Sequence, residues 1–432
     1  MGYRLPVPKF TATRRQVMTA LAALGVDSIR GNATPVPSAK HQRNTSVAYG
    51  GAILPEGIRS RFVDNSNGLT MHVLEAGFEG KGRPCILLLH GFPELAFSWR
   101  YVMPSLAAAG YHVLAPDQRG YGRTTGWDAG YDSDVGLYRL PNLVRDALGL
   151  LSAYGCESVA AVVGHDFGSP VAAWCALLRP DVFRSVVLMS APFAGPPRLP
   201  FNTVEESVHG AAATPSPAAN IQEALAALHP PRKHYQWYYS TRAANDDMQH
   251  CPQGVHAFLR AYYHMKSADW KQNTPFPLKS ANADELAKMP RYYIMDLDKS
   301  MAETVAPEAP TAAAIAACKW LPDDALRVYS DEYSRTGFQG GLQWYRRTTD
   351  PKFRPELETY SGRTIDVPSC FIAGKSDWGP YQSPGALESM ASTACTKFRG
   401  VHLLEGAGHW VQQEQSAAVC AIINEFVQAP PI

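Results

Sequence analysis

The 432 residues are 46% hydrophobic and 18% charged, and 40 basic side chains stand against 39 acidic ones for a net charge of +1. This is the composition of an ordinary globular enzyme; it carries no basic patch or stripe of the kind that marks a nucleic-acid partner. No apolar run reaches the roughly 18 residues of a membrane-spanning helix.

Residues 1–50 differ from the rest. Arg4, Lys9, Arg14 and Arg15 all precede the first acidic residue, Asp27. Thr13-Arg14-Arg15-Gln16-Val17-Met18, with the short apolar run to Val26, resembles a twin-arginine export signal, and Gly31 and Ala33 supply small residues for a peptidase. The other reading is a basic tail on a cytoplasmic protein, and both stay open.

From about Arg59 short apolar runs alternate with helical patterns. Arg61–Val63 and Met71–Leu74 flank a turn at Asn65–Gly68. Cys85–Leu89, His112–Ala115, Ser158–Val163 and Ser185–Met189 follow, then Cys370–Ala373 and Val401–Leu404. Strands alternating with helices predict an α/β fold, a mostly parallel sheet flanked by helices. Between Ala194 and about Pro355 the strand signal disappears. Helical patterns at Ile221–Leu228, Val255–Lys266 and Ala312–Trp320 are broken there by prolines. The expected organisation is a core of 51–195 and 356–432, with 196–355 inserted as a helical cap. The eight cysteines form no Cys-x-x-Cys pair and read as buried free thiols.

The chemistry sits just beyond the strands, where ligands bind in such sheets. Gly164-His165-Asp166-Phe167-Gly168 lies between a strand and a helix, the context of a nucleophile elbow. Asp377 follows the run at Phe371–Ala373, and His409 follows Val401–Leu404 within Gly408-His409-Trp410. Nucleophile, acid and histidine thus come in the chain order of a hydrolytic triad. His90-Gly91-Phe92-Pro93-Glu94 places the Phe92 N–H where it can pair with that of Phe167 as an oxyanion hole.

Together with Asp117-Gln118-Arg119-Gly120-Tyr121-Gly122, these motifs resemble the epoxide hydrolases of the α/β-hydrolase fold. The resemblance covers roughly residues 57 to 427. It implies a covalent aspartyl ester on Asp166, water activated by His409, and no metal or organic cofactor. It also implies two cap tyrosines that hold the epoxide oxygen. One matches Tyr235 in His234-Tyr235-Gln236-Trp237-Tyr238. The other matches Tyr329, eight residues before Gly337-Phe338-Gln339-Gly340 and ahead of Trp344-Tyr345-Arg346. Tyr238 and Tyr333 take these places in another register. Trp237 and Tyr238 are the candidates for an apolar substrate wall, and the implied partners are a small, apolar epoxide and water.

Two alternatives accompany this reading. Haloalkane dehalogenases share the aspartate elbow, but they use a tryptophan indole N–H where this chain has Phe167, which has no side-chain donor. A non-catalytic ligand-binding protein is the reading from another class; the complete Asp166, Asp377, His409 set weighs against it.

Overall fold

A computed structural model describes Tyr49, 53–201 and 221–430, all within the compact unit Val47–Ile432. The twin-arginine-like segment lies outside the described residues.

Ten strands form among the described residues. Numbered along the chain, they are β1 (Ile58–Asp64), β2 (Thr70–Ala76), β3 (Cys85–Leu89), β4 (His112–Pro116), β5 (Val159–His165), β6 (Val186–Met189), β7 (Arg232–His234), β8 (Ile294–Asp296), β9 (Ser369–Gly374) and β10 (Phe398–Leu404). Eight of them make one sheet in the order β1-β2-β4-β3-β5-β6-β9-β10. The β1/β2 and β2/β4 pairs are antiparallel and every other neighbouring pair is parallel. Every residue of β3, β6 and β9 is buried. Continuous apolar runs such as Cys85–Leu89 follow from this, because both faces of a parallel sheet are covered. All eight strands expected of the main sheet are present.

Helix α1 (Leu140–Ala153) buries Leu140, Leu143, Val144, Ala147, Leu150 and Leu151, the one-sided spacing of an amphipathic helix, and carries Pro141 in its first turn. Helix α2 (Gly168–Leu178) is apolar on nearly all sides and packs on β5 and β6. Since β6 and β9 are parallel neighbours, the chain between them leaves the sheet and returns. That insert carries α3 (Tyr235–Tyr239), α4 (Gly254–Lys266), α5 (Asp323–Thr336) and α6 (Gln339–Thr349). It is not purely helical: β7 and β8 form an antiparallel ribbon, with Arg232 opposite Asp296 and their side chains ion-paired. Strands of three residues are too short to show a period-two pattern, so the sequence carried no sign of them. No described helix is long and apolar enough to cross a membrane. The eight cysteines are free, six buried and Cys156 and Cys318 half-buried.

One buried ion pair ties the layers together. Arg119, in the loop after β4, gives two hydrogen bonds of 2.8 Å to the Asp146 carboxylate on α1. Asn65 and Asn67, from the β1–β2 turn, donate to the same carboxylate. Asp146→Ala leaves the guanidinium buried and unpaired. It is expected to lower stability by about 3–5 kcal/mol, read as a drop in the urea midpoint. Arg139→Ala, which breaks an exposed pair with Glu356, is expected to change it by less than about 1 kcal/mol.

Candidate active site

β3, β5, β6, β9 and β10 are consecutive, parallel neighbours, so their carboxyl ends open on one side of the sheet. His90, Asp166 and Ser190 directly follow β3, β5 and β6, and Asp377 and His409 lie in the loops that follow β9 and β10.

Asp166 has φ +51, a left-handed conformation that few non-glycine residues adopt. The turn around it leaves no room for side chains. A Cβ on Gly164 would lie 2.1 Å from Gly168 O, and one on Gly168 would lie 2.2 Å from Leu89 O. The Phe92 N–H donates to Asp166 Oδ1 at 2.9 Å. A Cβ on Gly91 would meet that carboxylate at 2.3 Å, so only glycine lets the loop come this close. The Phe167 N–H makes no hydrogen bond among the described residues.

His409 lies beside both carboxylates. Its Nδ1 is 3.1 Å from Asp377 Oδ1 and its Nε2 is 3.3 Å from Asp166 Oδ2. The second contact falls outside hydrogen-bond geometry, and Nε2 has no hydrogen-bond partner. Burial and the Lys266 ammonium push the imidazolium down in pKa. The charges of Asp377 and Asp166 outweigh them and hold His409 above the ordinary histidine value. Asp166 is half-buried, and the loss of solvent favours its neutral form. His409 and Lys266 nevertheless hold its carboxyl well below the usual carboxylate range, which leaves it ionised at neutral pH. Asp377 is lowered in the same way by His409, Ser190 and the Gly379 N–H.

Residues around the triad hold it in place. Glu94 is fully buried, and its Oε2 pairs with His165 Nδ1 at 2.7 Å. His165 Nε2 donates to the His409 carbonyl at 2.7 Å, which ties the loop after β3, the elbow and the histidine loop together. Glu414 accepts the N–H groups of Gly408, Trp410 and Ala268, and burial raises its carboxyl to about 8. The Lys266 carbonyl accepts the His409 N–H at 2.8 Å. The Lys266 ammonium lies over the rings of Tyr262, Tyr293 and Trp410. The Glu94, Glu414 and Lys266 roles gave no sequence signal beyond position, because a buried carboxylate and a surface one look alike in a sequence. Among the described residues no three His, Cys, Asp or Glu side chains are grouped to hold a metal ion.

The structure separates the expected tyrosines. The buried Tyr235 hydroxyl donates to Gln382 Oε1 at 3.0 Å, and its ring lies 5.8 Å from that of Tyr345. Tyr329 does not join it. Its hydroxyl is occupied by Ser98 at 2.8 Å, Gln413 at 3.2 Å and Arg100 at 3.3 Å. The second tyrosine beside the elbow is Tyr345, whose ring rests on Phe167 at 4.5 Å and Phe92 at 5.4 Å. Burial, with the Asp166 charge adding to it, keeps both Tyr235 and Tyr345 protonated far above neutral pH. Tyr345 lies in Trp344-Tyr345-Arg346, the segment that follows Tyr329 in the family pattern. Of the two wall candidates, Tyr238 turns its hydroxyl to Asp247 at 2.9 Å, and Trp237 is half-buried against His234. Among the described residues no hydrogen bond or ring contact joins either to the elbow, whereas Tyr345 packs on Phe167 and Phe92. Tyr333 is likewise a packing residue, stacked on Phe338 and bonded to the Glu94 carbonyl.

Comparison with known proteins agrees with this arrangement. Residues 84–415 match the family model described as alpha/beta hydrolase fold. The chain is 33% identical to epoxide hydrolase A of Mycobacterium tuberculosis over 85% of its own length and 96% of that protein. It is 30% identical to an epoxide hydrolase of Caballeronia sordidicola, over 84% and 92% of the two chains. Among solved structures, an epoxide hydrolase from an endophytic Streptomyces superposes with a TM-score of 0.67 at 30% identity, covering 86% of this chain and 96% of the other. Potato epoxide hydrolase I does so with a TM-score of 0.63 at 28% identity, covering 86% and 99%. With an aspartate on the elbow, a histidine between two carboxylates, and these relatives matched over nearly their whole length, the chain belongs to the epoxide hydrolase family of the α/β-hydrolase fold.

Proposed function

We propose that this enzyme opens a small, largely apolar epoxide to a vicinal diol through an ester on Asp166. One observation carries the proposal: an ionised Asp166 has Oδ1 on the Phe92 N–H and Oδ2 beside His409, near the neutral hydroxyls of Tyr235 and Tyr345. Residues 196–355 act as the cap that brings those tyrosines over the elbow.

In the first step Asp166 Oδ2 attacks an epoxide carbon and the ring C–O bond breaks. The leaving oxygen is a strongly basic alkoxide, and Tyr235 or Tyr345 gives it a proton. A carboxylate suits this step because it needs no base to become nucleophilic. The ester it forms can be hydrolysed at its carbonyl, whereas a serine would leave a stable ether.

In the second step His409 Nε2 takes a proton from water, and the hydroxide formed adds to the Asp166 carbonyl carbon. Negative charge develops on Oδ1, where the Phe92 N–H already points and the Phe167 N–H is available. Collapse expels the diol oxygen, which takes the proton of the hydroxyl left on the Asp166 carboxyl and so restores the carboxylate; the proton held by His409 returns to the tyrosinate formed in the first step. Asp377 orients His409 and stabilises its cation. Esterification also removes the negative charge of Asp166. That charge helps to raise His409, so the intermediate itself favours the neutral, basic imidazole. Phe167 offers no side-chain N–H to a departing halide, which disfavours dehalogenation.

Three measurements test this. Intact-protein mass of His409→Gln after exposure to a panel of epoxides is expected to rise by one whole epoxide, mapped to Asp166. A gain lacking a halide from an alkyl-halide panel would point to dehalogenation instead. By single-turnover kinetics, Tyr235→Phe and Tyr345→Phe are expected to slow ester formation, toward the ~10²–10⁴ that general-acid help provides. Tyr329→Phe is expected to leave that rate near wild type. By NMR titration, His409 in the free enzyme is expected to lose its proton above the ordinary value of about 6.5. Asp166→Asn removes a negative neighbour and is expected to move that titration to lower pH.

A further inference from the structure

Ser190 follows β6 with φ +68 and is completely buried. A left-handed backbone is unfavourable for an L-residue with a side chain and persists only where its surroundings hold it. Here the Ser190 N–H is fixed on the Ile372 carbonyl of β9 at 3.1 Å. Its hydroxyl sits between the two outer members of the triad. It hydrogen-bonds to Asp377 Oδ2 and lies 2.8 Å from His409 Nδ1. That is closer to the imidazole than Asp377 itself, whose Oδ1 is 3.1 Å away and also accepts the Gly379 N–H at 2.8 Å. A Cβ on residue 379 would lie 2.5 Å from Ser190 Oγ, so the glycine there makes room for the hydroxyl.

Donor counting settles the protons. An ionised carboxylate only accepts, so the single Ser190 proton points to Asp377. The serine oxygen can then only accept from His409, so Nδ1 carries a hydrogen shared between Ser190 and Asp377. In the neutral imidazole Nε2 is then left with the lone pair, on the side of Asp166. We propose that Ser190 is a positioning residue for ester hydrolysis: it relays Asp377 to His409 and holds the imidazole in the tautomer that accepts a proton from water. The Nδ1 proton stays in place throughout. This rests on the Asp166-ester reading above.

The test separates the two chemical steps. Styrene oxide and cyclohexene oxide serve as probes, and rapid-quench intact mass follows the ester in wild type, Ser190→Ala, Ser190→Gly, Asp377→Asn and the Ser190→Ala/Asp377→Asn pair. Ester formation does not use His409 as a base, so it is expected to keep its wild-type rate in both Ser190 variants. Ester decay is expected to slow at least roughly tenfold, toward the lower end of what general-base catalysis provides. The double variant is expected to lose clearly less than the product of the single losses, as for residues acting as a unit. Ser190→Gly accepts the backbone without strain and carries the test if Ser190→Ala folds poorly. Wild-type decay in Ser190→Gly, equal slowing of both steps, or multiplicative losses would each overturn the proposal. If neither wild type nor His409→Gln forms an ester with any epoxide of the wider panel, the reaction itself is refuted rather than the serine's role.

Discussion

The left-handed turn at Asp166 sets the position of everything else in the site. For the nucleophile to stand clear of β5, the chain reverses within Gly164–Gly168, and the start of α2 then presses on the carbonyl of Leu89 at the end of β3. Two glycines meet this demand by having no side chain. The same closeness brings Gly91 and the Phe92 N–H onto the nucleophile's carboxylate. Donor and nucleophile are placed by one packing contact, so catalytic hydrogen bonds exist before any substrate arrives, which is what electrostatic preorganisation requires.

Withdrawing three carboxylates from solvent, two of them completely, is unfavourable unless each has partners. Glu94 has His165 and two glutamines, Gln412 and Gln413. Asp377 has His409, Ser190 and the Gly379 N–H. Asp166 has one backbone donor and a histidine contact too poorly aligned to be a hydrogen bond. The least satisfied carboxylate is therefore the one on the elbow. The Lys266 ammonium, held among aromatic faces, supplies positive charge that keeps Asp166 ionised and opposes protonation of His409. Glu94 and His165 are the mechanical counterpart: through the His409 carbonyl they make the donor loop, the elbow and the base one connected unit.

The opposite wall is aromatic. Tyr345 leans on Phe167, Phe92, Tyr239 and Tyr235, and this packing aims it at the elbow. Tyr329 belongs to a polar cluster with Ser98, Arg100 and Gln413, which joins α5 to the segment after β3 and to the C-terminal region. A tyrosine hydroxyl with three partners has little capacity left for a substrate.

The core of this site was legible in the sequence because short, contiguous motifs encode it. A buried parallel strand is a continuous apolar run, and the residue after it lies at the site, so Asp166, Asp377, His409 and Phe92 could be named from order and position alone. Their assembly into one centre follows from strand adjacency, β3-β5-β6-β9-β10, which is the topology the apolar runs predict. The insert has no such rule. Helices there are set by side-chain packing, and a shift of one residue turns a helical side chain by about 100°. Spacing alone therefore pointed to Tyr329, and only the fold shows its hydroxyl engaged by Ser98, Arg100 and Gln413 while the Tyr345 ring rests on Phe167; the bond from Tyr238 to Asp247 has the same origin. Ser190 shows the limit from the other side. It follows a correctly read strand, yet nothing in Met189-Ser190-Ala191 marks it, because its role consists of distances to Asp377 and His409, 187 and 219 residues further along the chain. The sequence by itself determined the sheet and the placement of Asp166, Asp377 and His409 beyond its carboxyl ends, since each is written locally. Which hydroxyls complete the site was decided only by tertiary structure, because those contacts join residues far apart in sequence through packing that no local pattern records.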